Sequence, residues 1–385
     1  MKKWLIGLGI PAGMFLLLVA AIWLFVQTAP QLGSPPQGGR LTALAQSAQF
    51  SEGSFRNRAD IAMDMGLVKT MDVMYDWFAG SASRSPQGPI PARRIRPSEL
   101  KVEAGQAMLS WFGHSAFMLE IEGATILLDP MLGPVASPVS FINRRFDYEL
   151  PLSLQEIPFI DIVVISHDHY DHLDYESIVA LKEKVGQFLV PLGLGSHLLR
   201  WGVEEEKIVE LDWWQSATRA GVEMTATPAQ HFSGRSLDDG NSTLWASWVI
   251  EAEGVRIFFS GDSGYFAGFK EIGDRFGPFD LTLMECGQYD EQWASIHMMP
   301  EETAQAHLDL RGKVLMPIHW GAFDLALHAW DEPPQRLLKA ARRHSIEVIT
   351  PYIGERFDLL RERPRREWWN GKVGGVMAGI VSSTK

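Results

Sequence analysis

The sequence predicts a layered α/β catalytic domain preceded by a single N-terminal transmembrane helix. Three observations predict it. Short apolar runs of strand length alternate with helical patterns from about Leu109 onward, which points to helices packed on sheets rather than to a helix bundle. A charge-free apolar stretch, Trp4 to Val26, opens the chain. A dense group of histidines and aspartates follows directly on one of the strand-like runs.

With 385 residues, 46% hydrophobic and 21% charged, the chain can build one large domain with extensions. Its formal net charge of −12 lacks the basic footprint of a nonspecific nucleic-acid binder, so no nucleic-acid partner is expected. The single cysteine, Cys286, excludes an intramolecular disulfide and a cysteine zinc cage. Any metal must then be held by histidines and carboxylates.

Taken in order, the apolar stretch of roughly 20 residues matches the hydrocarbon thickness of a bilayer. Lys2 and Lys3 precede it and no positive charge follows until Arg40. The positive-inside rule therefore leaves the N-terminus in the cytoplasm and the catalytic domain outside it, in the periplasm of a Gram-negative cell. A cleaved signal peptide is the competing reading; the stretch is long for one, and no small-x-small site follows Val26. Pro30 to Gly39 is rich in Pro, Gly, Ser and Gln and reads as a linker. Between Ala59 and Phe78, Leu67, Val68, Met71, Met74 and Phe78 recur at helical spacing. That helix packs on the catalytic domain in the simpler reading; in the sharper one its adaptable methionines meet lipid. Ser81 to Pro97 is a loop.

Ala116–Glu120 and Thr125–Leu128 form a predicted hairpin around Glu122-Gly123. Asp161–Ile165 is a buried strand and Tyr175–Val185 a helix. Strands are expected at Met224–Thr227, Trp245–Glu251, Arg256–Ser260, Leu281–Glu285 and Val314–Ile318. Helices are expected at Pro300–Asp309 and Pro334–Arg343. The organisation that follows is an anchor over 1–30, a linker and N-terminal extension over 31–104, the catalytic domain over 105–360 and a tail over 361–385.

The chemistry concentrates in Ser166-His167-Asp168-His169-Tyr170-Asp171-His172-Leu173-Asp174. Two residues apart in an extended segment, His167 and His169 point to the same side. Asp171 and His172 follow where the chain turns into the next helix. Imidazole and carboxylate are the donors zinc takes when thiolate is absent. Several unpaired titratable groups would be costly to bury for structural reasons alone. His231, Asp262 and His319 each end a later strand-like run, so loops at one edge of a layered sheet could bring them together.

His167-x-His169-x-Asp171-His172, followed by His231, Asp262 and His319, resembles the ligand set of the metallo-β-lactamase superfamily. The resemblance implies an αββα sandwich holding two divalent metal ions. Zinc is the default on ligand grounds, with iron or manganese also accommodated. Carried over, His167, His169 and His231 hold one ion, Asp171, His172 and His319 the other, and Asp262 bridges them. Asp171 tunes the acidity of the ions. Asp129, in Leu127-Leu128-Asp129-Pro130, matches an early aspartate that supports the histidine loop. His114 supports the site or the fold.

Trp111-Phe112-Gly113-His114-Ser115, Pro228 to Arg235, Ser260 to Tyr265 and Pro317 to Gly321 look like the branch that contains N-acylphosphatidylethanolamine-hydrolysing phospholipase D and L-ascorbate-6-phosphate lactonase-like proteins. His297 matches a histidine that the phospholipases keep near their metals, where it would donate a proton or touch substrate. The resemblance covers about Leu109 to Phe357. It implies a phospholipase D-like phosphodiesterase that attacks N-acylphosphatidylethanolamine or a related phospholipid with a metal-activated hydroxide; the N-terminal stretch, which is no part of the branch's pattern, makes it a membrane-anchored one. The alternative is a hydrolase of a soluble lactone, ester or thioester, with a non-catalytic binding domain behind both.

Overall fold

The computed structural model describes residues 2–59, 83–100 and 105–370, with isolated positions between 61 and 79. The helix expected over 59–78 lies mostly outside these residues, as does most of the tail expected over 361–385. The chain opens with helix α1 (Lys2–Thr28), whose side chains are described from Gly13 on. Among the described residues, no helix is long and apolar enough to cross a membrane. The transmembrane anchor expected from the sequence is corrected accordingly. The bilayer partner and the extracytoplasmic placement of the catalytic domain rested on that span and fall with it.

After α1 come a short helix, α2 (Gly39–Leu44), and a small hairpin of β1 (Phe50–Ser51) and β2 (Ser54–Phe55). Two seven-stranded sheets follow. The first contains β3 (Ala107–Trp111), β4 (Phe117–Ile121), β5 (Ala124–Leu128), β6 (Ile160–Val164), β7 (Val185–Pro191) and β8 (Ile208–Leu211) in that order. The second runs from β9 (Ser216–Arg219) through β10 (Val222–Thr227), β11 (Ser247–Ala252), β12 (Val255–Phe259), β13 (Phe279–Glu285) and β14 (Gly312–Ile318) to β15 (Glu347–Val348). The last strand, β16 (Arg356–Asp358), crosses back and pairs antiparallel with β3, closing the edge of the first sheet.

Period-two burial explains the layers. On β6, Ile162 and Val164 face the core between the sheets while Val163 faces outward. Val163 and its neighbours Leu127 and Phe188 pack against Ile178 and Leu181 of α3 (Tyr175–Leu181) and Leu198 of α4 (Gly195–Arg200). On β12, Ile257 and Phe259 face inward and Phe258 outward. Phe258 joins Phe269 and Ile272 of α5 (Gly268–Phe276), Ala304 and Ala306 of α6 (Pro300–Asp309) and Leu337 of α7 (Glu332–His344). Alternating strand faces thus sandwich one apolar layer between the sheets and one outside each, giving the αββα order.

Both sheets combine a parallel and an antiparallel part. The segments that follow the carboxyl ends of β3, β5, β6, β10, β12, β13 and β14 carry all the candidate site residues. They meet along one edge of the sandwich, as His319 to Asp171 and His231 to His169 contacts require.

Candidate metal centre

Strand β6 ends at Val164, and the loop after it is fastened before it turns. Asp129, buried at the end of β5 with φ of 36°, accepts from Ser166 N through Oδ1 at 2.7 Å. Its Oδ2 accepts from Ser166 Oγ at 2.5 Å and lies 2.6 Å from Nδ1 of His172. One carboxylate therefore ties down both ends of the histidine loop. Gly261, at φ 54°, lets the loop after β12 approach closely: a Cβ there would lie 2.5 Å from Cβ of Ser166, a distance that side chains do not tolerate.

Three of the imidazoles are held by Nδ1 and present Nε2. Nδ1 of His167 lies 2.9 Å from Ser166 Oγ, Nδ1 of His231 lies 3.0 Å from the Ile296 carbonyl, and Nδ1 of His319 lies 3.3 Å from the Gly287 carbonyl. Such outer partners fix ring orientation. The presented nitrogens converge. His167 Nε2 is 2.9 Å and His231 Nε2 3.2 Å from Nδ1 of His169. Asp171 Oδ2 is 2.9 Å from His114 Nε2, 3.2 Å from His319 Nε2 and 3.5 Å from His172 Nε2.

Two His/Asp clusters result, one of His167, His169, His231 and Asp262 and one of His114, Asp171, His172 and His319. In each, one donor atom per residue lies within 4.8 Å of the others. They form two metal-binding sites consistent with a dinuclear centre. The donor set fits cations. His172 Nε2 and Asp262 Oδ1 are buried without a hydrogen-bond partner, an arrangement that is costly unless a ligand meets it. Burial first, then the neighbouring imidazoles, keep His167 well below its ordinary pKa. Burial also keeps His231 well below, against the pull of Asp262. Unprotonated rings are what a metal requires. Burial lowers His172 and His319 too, but Asp262 and the other carboxylates beside them outweigh it and hold both well above the usual value. The same contacts keep the buried Asp262 and Asp171 well below the usual carboxylate range.

All seven residues expected as ligands meet here, and His297 stands beside them. A third group joins His297 to Asp262 and His319. Two residues go beyond what the sequence assigned: His114 was expected only to support the site or the fold, and Glu285 was not expected at the site. His114 enters the second cluster from the turn after β3. Glu285, fully buried at the end of β13, bonds to Nδ1 of His297, accepts from Ser263 N at 2.7 Å and lies 3.6 Å from His319 Nδ1. Its only sequence signal is a buried strand ending in a carboxylate. A cavity of about 450 Å³ opens over the clusters, walled by Phe232, Trp293, Ile296 and Leu325, with Gln288, Gln292 and His297 as its polar members.

A family profile described as "Beta-lactamase superfamily domain" matches residues 124–320. An uncharacterised protein of Mycobacterium tuberculosis is 40% identical over 350 residues, 88% of this chain and 92% of its own. The N-acyl-phosphatidylethanolamine-hydrolyzing phospholipase D 1 of Caenorhabditis elegans is 32% identical over 262 residues, 65% of this chain and 73% of its own. Among solved structures, a metallo hydrolase from the archaeon Ignicoccus hospitalis superposes with a TM-score of 0.52 at 23% identity, covering 66% of this chain and 97% of its own. That likeness concerns the fold alone.

The membrane-anchored phospholipase D-like phosphodiesterase expected from the sequence is corrected on these findings. With no membrane-crossing helix among the described residues, tethering no longer argues for a bilayer substrate. The two ligand clusters belong to dinuclear hydrolysis in general, and the similarity to the phospholipase is distant.

Proposed function

The chain belongs to the beta-lactamase superfamily and is a metal-dependent hydrolase; from that premise we propose that it hydrolyses a carboxylic ester, lactone or thioester at a pair of divalent ions. In this reading His167, His169 and His231 would hold one ion, Asp171, His172 and His319 the other, and Asp262 would serve both. The observation that carries it is the position of one oxygen. Oδ2 of Asp262 lies 3.2 Å and 3.0 Å from Nε2 of His172 and His319, and 3.8 Å from Nε2 of both His167 and His231. It faces both clusters at once. Zinc suits a set made only of imidazole and carboxylate. The hydrolase domain is assigned to residues 105–360, with 31–104 as an extension and 361–385 as a tail.

When bound, such ions supply Lewis acidity and a nucleophilic water at neutral pH. The other parts fall to the chain. His297 is the proton donor to the leaving group: Glu285 occupies its Nδ1, which leaves Nε2 for the cavity that His297 lines. Phe232, Trp293, Ile296 and Leu325 take the apolar part of the substrate and exclude water from the bond being cut. The described cavity lining contains no lysine or arginine, which favours a neutral ester over an anionic phosphodiester.

The test is metal analysis of the full chain together with turnover of short- and long-chain p-nitrophenyl esters, a lactone and a thioester, beside bis(p-nitrophenyl) phosphate. Two metals per chain and ester-class turnover are expected. Asp262→Asn should cut that turnover by more than the roughly 10–100-fold that outer-shell changes cost. Faster cleavage of the phosphodiester than of every ester would overturn the proposal.

A further inference from the structure

Residues 30–39 read in sequence as a linker and the residues after them as part of an N-terminal extension, yet residues 30–57 are bonded to the residues proposed to hold one half of the metal centre. The tie nearest the metal ligands is Asn57. Its side-chain Nδ2 donates to the His231 carbonyl at 2.7 Å and its Oδ1 accepts from His231 N at 3.1 Å. Both backbone groups of one candidate ligand are thus satisfied by a side chain 174 residues earlier. With Nδ1 of His231 already on the Ile296 carbonyl, its ring and its backbone are held independently.

Two further ties act on the histidine loop. The Gln31 carbonyl accepts from Arg235 Nε at 3.2 Å and Nη2 at 2.8 Å. The same guanidinium donates through Nη1 to the carbonyls of Asp168 at 2.5 Å and Leu173 at 2.8 Å. Arg235 is itself buried, lies over the ring of Tyr170, and so spans the loop from one end to the other. Ser34 N donates to Nδ1 of His197 at 2.9 Å. The ring proton of His197 must then sit on Nε2, 3.3 Å from Asp168 Oδ2. Asp168 lies between His167 and His169, and its remaining contacts, from Gly234 N at 2.8 Å and Thr243 Oγ1 at 2.8 Å, are also buried.

We propose that residues 30–57 are a positioning strap for the His167–His169–His231 half of the centre, with Asn57 as the positioning residue of His231. The inference rests on the reading that these histidines hold one of two ions. The Asn57 and Ser34 ties bear on that half alone, while the Gln31–Arg235 tie also reaches the Leu173 carbonyl, next to His172. The other half is oriented from within the domain, by Asp129 on His172 and by the Gly287 carbonyl on His319. Loss of the Asn57 tie should therefore weaken one ion selectively. Outer-shell partners of this kind are worth about 10–100-fold in metal affinity.

The test is titration of the metal-free full chain with Co²⁺ against a competing chelator, followed by absorption. His231→Ala marks which of the two binding steps belongs to its half. In Asn57→Ala that same step should weaken by about 10–100-fold while the other keeps its wild-type affinity. Asn57→Asp keeps the acceptor for His231 N but sets a carboxylate oxygen against the His231 carbonyl in place of the donor, so it should weaken the same step too. It carries the test alone if Asn57→Ala does not fold. Equal weakening of both steps, which a merely structural role would produce, overturns the strap, as does no weakening. A wild-type chain that binds no Co²⁺ at this half sinks the underlying hydrolase reading instead.

Discussion

The buried histidines of this chain differ by what surrounds them, and His307 marks the contrast with the metal centre. It sits on α6, shielded from solvent, with Nδ1 2.7 Å from Thr282 Oγ1. Among the described residues it belongs to no ligand cluster. Burial alone lowers its pKa from 6.5 to about 4. Between those values the unfolded chain binds the proton and the folded one resists it, so stability rises with pH across the window. The contribution is complete above pH 6.5 and is lost as pH falls towards 4, a difference on the order of 3 kcal/mol. Urea midpoints for wild type and His307→Gln at pH 7 and pH 4.5 should differ in slope by that share; parallel lines would refute it. The same contrast explains which site residues the sequence disclosed. His167, His169, Asp171 and His172 stand in one segment and announce themselves by density. His114 stands in a short motif that marked it as a support of the site or the fold but not as a ligand, and Glu285 is a single polar residue ending a strand, indistinguishable by pattern from a core residue until the fold brings it within reach of His319.

At the scale of elements, the hairpin between β4 and β5 was legible to within a residue of its strand ends, because its turn is local chemistry. Ile121 pairs with Ala124 across two residues, Glu122 at φ 50° and Gly123 at φ 80°, the doubly positive turn that a right-twisted hairpin needs. A Cβ on Gly123 would meet nothing within 4 Å, so Gly123→Ala isolates the backbone term. It should cost about 1–2 kcal/mol in chemical denaturation and leave turnover unchanged; a neutral result would show that the turn relaxes. The helix predicted over Tyr175–Val185 was only half right. It stops at Leu181, passes through a short 3-10 turn at Lys182–Lys184, and Val185 already begins β7. Pairing with β6 and β8 on both sides overrides local preference there, and no sequence pattern records it. Strand β8 and β9, four residues each and partly exposed, lack the apolar run that revealed the central strands.

Across the whole molecule the two sheets are joined by chemistry as well as by packing. His114, His167, His169, Asp171 and His172 follow strands of the first sheet, while His231, Asp262 and His319 follow strands of the second. Each cluster draws on both: His231 and Asp262 complete the first, His319 the second. A pair of bound ions therefore acts as a cross-link between the halves of the sandwich, and its free energy of binding is stability of the fold. The ligation-ready geometry needs buried carboxylates and imidazoles side by side, an arrangement that the apolar layers must hold in place when no cation does. With free metal at 100 times its dissociation constant, each site contributes about 2.7 kcal/mol. In a domain of this size each kcal/mol moves Tm by about 2–4 °C, so stripping both ions with a chelator should lower Tm by roughly 10–20 °C if both sites bind alike. Restoring either ion alone should recover about half of the loss, because each bridges the same two sheets. Scanning calorimetry of the metal-free, singly loaded and fully loaded chain measures this directly. A Tm indifferent to metal would mean that packing alone holds the sheets together and that the ligands ride on a framework already complete without them.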